Sequence, residues 1–180
     1  MSEAYQVAGV VGRLLDRWTP SPARYPAFAA VTTGLTFVLM LLGAYTSAIG
    51  AGLACPDWPR CYGTWMPFLQ PEILADSPYT GPQIFAEWAH RGLAALVGLL
   101  ILWTAVSAWR VHRDRPEVLW SATVAIVLLP VQVALGGFTV TRSLEPFIVT
   151  AHLGVAIIIL VALSTTTLAA WLQRDWSSNR

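Results

Sequence analysis

Charged residues divide this chain into four long uncharged runs: 25–56, 92–109, 118–141 and 146–173, of 32, 18, 24 and 28 residues. Each is near the roughly 20 residues that carry a helix across a bilayer. The pattern predicts an all-α membrane protein, a four-transmembrane-helix bundle with spans at 27–52, 87–109, 118–140 and 147–171. Residues 1–24 mix charged with apolar positions and carry no small-residue cleavage signature, which predicts a retained interfacial segment rather than a cleaved leader. Residues 55–86 form a long loop outside the membrane, and the whole chain, 1–180, reads as one membrane domain.

Composition narrows this further. Hydrophobic residues make up 56% of the chain and charged residues 12%, against about 25% charged in a soluble domain. Four spans leave no room for a soluble catalytic domain or a nucleotide-binding sheet, and a net charge of +1 offers no field for nucleic acid. There is no lysine, so orientation rests on arginine. Arg13, Arg17, Arg24, Arg110, Arg113, Arg115, Arg174 and Arg180 lie on one side, and Arg60, Arg91 and Arg142 on the other. Both termini are therefore expected in the cytoplasm, with the first and third connections outside. The two cysteines, Cys55 and Cys61, fall in the outward first connection, where an oxidising compartment allows a disulfide. A staple for a proline-rich loop and a redox pair are both open on spacing alone.

An internal repeat directs attention to two histidines. Ala89 to Ala94 read AHRGLA and Ala151 to Ala156 read AHLGVA, an offset of 62; Leu42 to Thr46 read LGAYT and Leu135 to Thr139 read LGGFT, an offset of 93. The repeat unit is thus an out-and-back helical hairpin used twice, in parallel, with 31 extra residues in the first copy. His90 and His152 become equivalent positions at matched depth near the outer ends of their spans. Gly92 and Gly154 follow them and are expected to leave space beside the rings. Two paired imidazoles with no third His, Asp or Glu cluster beside them suit a haem iron held by two axial ligands better than zinc or di-iron. The competing reading is a hydrogen-bonded helix contact. His112 lies among Arg110, Arg113 and Arg115 and is given no ligand role.

Glu87 stands three residues before His90, so the two side chains neighbour each other on a helix. It reads either as a solvated carboxylate at a helix N-terminus or as a desolvated proton acceptor beside a macrocycle edge. Arg91 pairs with a haem propionate or snorkels to the interface. Gln132 reads as a helix-to-helix hydrogen bonder, and Gly43, Gly136 and Gly137 as packing positions.

Four stretches, GAGLACPDWPRC (Gly50 to Cys61), EWAHR (Glu87 to Arg91), QVALGGFTV (Gln132 to Val140) and AHLG (Ala151 to Gly154), together resemble the haem A synthase family over all four spans. The resemblance implies an oxidoreductase of the prokaryotic plasma membrane that oxidises a methyl group of haem O to the formyl group of haem A, for terminal oxidase assembly. Family members usually have eight spans in two similar halves, one for the substrate haem and one for a haem b cofactor. This chain resembles the substrate half. By that similarity His90 and His152 are axial ligands of the haem iron, Arg91 also contacts the haem, Glu87 takes part in methyl oxidation, and Cys55 and Cys61 form a redox-active or structural pair. The implied partners are haem O, the lipid bilayer, a second copy of the chain in a homodimer, a haem O synthase and an electron donor. Two other functions compete: a membrane b-type cytochrome that only carries electrons, and a quinone-linked thiol oxidoreductase.

Overall fold

The structure, a computed structural model, describes residues 19–178; most of the expected interfacial segment, 1–18, lies outside the described residues. Four long helices dominate: α1 (Tyr25–Ala48), α3 (Gly81–Val111), α4 (Pro116–Thr141) and α5 (Pro146–Ser178). Each is long and apolar enough to cross a membrane. The first connection adds a single 3-10 turn, Pro67–Leu69, and a short helix, α2 (Pro71–Asp76).

Local sequence sets the ends. Proline stands in the first turn of every long helix, where its missing N–H costs no hydrogen bond. Helix α1 stops at Ala48, short of the expected 52. There Gly50 turns at φ +70° and the Ala51 N–H donates back to the Thr46 carbonyl at 2.9 Å. Helix α4 ends in the same bond at positions offset by 93, with the Leu144 N–H donating to the Thr139 carbonyl at 2.8 Å. Here Ser143 and Leu144 adopt positive φ. Helix α3 begins at Gly81, six residues before the expected start, because Thr80 and Gln83 form a reciprocal capping box.

Helix α1 packs on α3 and α5, and α4 packs on the same two, so α3 and α5 occupy opposite corners of the bundle. Alanines at the contacts let the helices approach closely: Ala29, Ala105, Ala108, Ala122 and Ala170 are all buried near the end that carries the chain termini. At that end every neighbouring pair is also tied through side chains. Thr32 meets Thr104 at 3.1 Å (α1 to α3), Thr33 meets Thr167 at 3.0 Å (α1 to α5) and Ser121 meets Thr166 at 2.8 Å (α4 to α5). The Trp109 indole N–H donates to Thr123 at 3.0 Å (α3 to α4). Each such bond contributes about 0.6 kcal/mol in a membrane interior. Together they close this end, and the chemistry-bearing residues gather at the other, under the first connection.

Candidate haem-ligating and carboxylate site

The helical spacing of Glu87 and Arg91 puts them one turn apart, and Arg91 Nε donates to Glu87 Oε1 at 2.8 Å. Glu87 is only 6% exposed and lies about a turn and a half inside α3, so it is not a solvated group at a helix terminus. The remaining guanidinium donors face the first connection. Arg91 Nη1 donates to the Asp57 carbonyl at 2.5 Å and the Arg60 carbonyl at 2.7 Å, and Nη2 to the Cys55 carbonyl at 2.8 Å. A contact from Arg91 to a propionate would have to displace one of these bonds. One arginine therefore joins the carboxylate, the helix carrying His90, and the cysteine loop.

Cys55 and Cys61 are bonded as a disulfide, and both are buried, in a small core with Ala51, Ala54 and Ile84. Exchange requires a thiolate to reach a sulfur, and burial denies that access. The arrangement favours the staple and weighs against a thiol oxidoreductase. Asp57, which sequence reasoning passed over, shapes the loop inside the ring: its carboxylate accepts the N–H groups of Tyr62 and Gly63 at 2.5 and 2.9 Å. The loop is also held from outside. The Trp88 indole donates to the Trp65 carbonyl at 2.8 Å, Phe68 packs against Phe85 and Trp88, and the Gln83 amide donates to the Ile49 carbonyl at 2.8 Å. Trp58 crosses to α4, where a Cβ added to Gly137 would meet its ring at 3.3 Å.

His90 on α3 and His152 on α5 are half-buried, and each has a buried Nδ1 without a partner. A Cβ on Gly43 of α1 would lie 2.8 Å from His90 Cε1, and a Cβ on Gly136 of α4 would lie 3.2 Å from His152 Cε1. The Gln132 side-chain nitrogen approaches His152 Nε2 at 3.4 Å. This corrects one expectation. Gly92 and Gly154 have open space where a Cβ would go, so the room beside each ring comes from the neighbouring helix. The signal for Gly43 and Gly136 was present in the repeated LG motif, where it read as packing.

The donor set suits a haem iron: two neutral-capable imidazoles on opposite helices, each with an unpartnered buried nitrogen, in a mostly apolar bundle. The surroundings are one-sided. At the offset of 62, Val149 stands where the first hairpin has Glu87, and Leu153 where it has Arg91. Val149 lines a cavity of about 390 Å³ between the ends of α1 and α5. Of the two histidines, among the described residues, only His90 has a buried carboxylate three residues before it on its own helix.

Comparison with known proteins agrees with the residues. The family model described as cytochrome oxidase assembly protein matches residues 26–180. The chain is 36% identical over 131 residues to a heme A synthase of Shewanella oneidensis, covering 68% of this chain and 38% of that protein. A heme A synthase of Geobacillus kaustophilus is 28% identical over 142 residues, 78% of this chain and 42% of its own length. A protoheme IX farnesyltransferase of Halobacterium salinarum is 35% identical over 142 residues, 77% of this chain and 28% of its own length. The chain therefore spans well under half the length of these relatives, and no solved structure matches it. By the match along nearly its whole length, the chain belongs to the cytochrome oxidase assembly protein family, the family of the heme A synthases.

Proposed function

We propose that this chain oxidises the methyl group of haem O to a formyl group, giving haem A. The observation that carries the reading is the convergence at one end of the bundle of two glycine-cradled imidazoles with a buried carboxylate one turn from one of them. His90 and His152 would hold the haem iron, and the bound haem would supply the redox chemistry. The chain's own residues do the rest. With water as the source of the added oxygen, taking a methyl group to a formyl group releases four electrons, which pass to an external oxidant, and four protons, and Glu87, withdrawn from water, is the group in this reading that accepts a proton. Arg91 holds Glu87 Oε1, which orients the carboxylate and leaves Oε2 as the accepting atom in this reading. The stapled loop, latched by Arg91 and by Trp58 against Gly137, limits water at that end.

The buried disulfide supports placing this loop on the outer side of a plasma membrane, with the termini in the cytoplasm. A relative named as a protoheme IX farnesyltransferase carries a stretch similar to this chain, which supports a haem-farnesylating enzyme as the neighbour that hands over the substrate. A single bundle offers one histidine pair, a second copy of the chain in a homodimer would offer another for a second haem, and an external electron acceptor completes the set.

The test is to express the chain in a host that makes haem O but not haem A and to chromatograph the extracted haems. Haem A, or a partly oxidised haem, is the expected product. A low-spin haem spectrum without any change in haem composition would make the protein an electron-carrying cytochrome instead.

A further inference from the structure

We propose that Gly43 and Gly136 are positioning residues that set the rotation of the His90 and His152 imidazoles, one glycine for each helical hairpin; the proposal rests on the haem-ligation reading above. Glycine is a poor helix former, and both positions lie inside long helices, so something other than helix formation must account for them. The contact distances supply it. A methyl on Gly43 would sit 2.8 Å from His90 Cε1, closer than such atoms approach, and one on Gly136 would sit 3.2 Å from His152 Cε1, tight enough to displace the ring. On the His152 side the Gln132 side-chain nitrogen also approaches the ring, 3.4 Å from Nε2. The first helix of each hairpin thus presents a slot, opened by a bare Cα, to the histidine of the second.

Not every glycine here behaves this way. A Cβ on Gly34, Gly92 or Gly154 would meet nothing within 4 Å, although Gly92 and Gly154 sit two residues from the histidines themselves. The constraint therefore acts across helices. It is also graded: Gly43 is the stricter slot, whereas His152 has a slightly wider one and a polar neighbour in Gln132, whose counterpart in the first hairpin is the apolar Leu39. Groups that orient a metal-bound histidine govern the metal's properties, and the relative orientation of two axial imidazole planes is read directly in the electron paramagnetic resonance of low-spin ferric haem.

The experiment uses the full chain, purified with the haem its host supplies. Haem per polypeptide, the largest low-spin g value and thermal unfolding are measured for Gly43→Ala and Gly136→Ala, with Gly34→Ala and Gly154→Ala as controls. Both controls should match the parent. Gly136→Ala should keep its haem with a shifted g value. Gly43→Ala should retain haem about five- to a hundredfold less well, the range that one extra methyl in a packed site corresponds to. Should Gly43→Ala fail to fold, Gly136→Ala decides by its g value. Parental haem content and g values in both variants would overturn the proposal, as would a Gly154→Ala variant disturbed as much as Gly136→Ala. Retention of the low-spin signal in His90→Ala would instead bring down the ligation reading, and this proposal with it.

Discussion

Arg91 makes the most testable demand of the site, because one guanidinium holds both the buried carboxylate and the cysteine loop. Arg91→Ala removes the 2.8 Å bond to Glu87 and three bonds to the carbonyls of Cys55, Asp57 and Arg60. The two charged side chains are 14% and 8% exposed, so solvent screens them little. The Glu87 pair lies within α3 and survives opening of the loop, whereas the two part-buried bonds to the Asp57 and Cys55 carbonyls are lost, together about 3 to 6 kcal/mol at about 1.5 to 3 kcal/mol for each bond from a charged donor. The Arg60 bond adds little to this, since water can replace the guanidinium at that more exposed carbonyl, and the lower figure applies. If about 3 kcal/mol is lost from the free energy of opening the loop, the open population rises about a hundredfold. The disulfide reports that population, because its sulfurs are buried when the loop is closed. Reduction by dithiothreitol, followed by thiol alkylation and mass spectrometry, should accelerate about a hundredfold in Arg91→Ala. Arg91→Lys keeps the charge but loses the fork, so it should fall between variant and parent. A folded Arg91→Ala protein whose disulfide is reduced at the parental rate would refute the latch.

Glu87→Gln should retain the haem spectrum and slow haem A formation by about 10² to 10⁴, the range for a lost general base; haem analysis at the parental rate would return Glu87 to a purely structural pairing with Arg91. Replacing both Cys55 and Cys61 with Ser opens a ring with a sequence separation of 6 and should lower loop stability by about 2 kcal/mol while haem binding survives. Limited proteolysis within 55–86 checks this, and unchanged cleavage would count against the staple. Burial holds the His112 imidazole below its ordinary 6.5, with Asp114 acting to raise it and Arg115 to lower it. The unfolded chain then takes up that proton more readily, so the contribution is full above about pH 6.5 and is lost as pH falls below it. Thermal unfolding should weaken from about pH 7 to 5.5, less so in His112→Phe; equal slopes would exclude His112 as the source. Ser121→Val, which breaks the Thr166 bond, should lower stability by about 0.6 kcal/mol and leave the haem spectrum alone, and a changed spectrum would show that the termini end is coupled to the site.

The four spans were legible in the chain itself, because bilayer thickness demands long uncharged runs and charge is too costly to hide within them. The candidate ligands were legible as well, since a duplicated hairpin repeats its residues at constant offsets, and the offsets of 62 and 93 single out His90, His152 and the LG motif. What a linear pattern cannot carry is which helix stands beside which. That alone decides that the space beside each imidazole belongs to Gly43 and Gly136 rather than to Gly92 and Gly154. The same holds for Glu87: its distance from a helix terminus depended on a capping box at Thr80, and its burial on a loop folding back over α3. Arg91 makes the point most sharply. From the sequence, its partner was a propionate or the membrane interface, but carbonyl groups look alike at every position, and only the path of the first connection brings those of Cys55, Asp57 and Arg60 to its guanidinium.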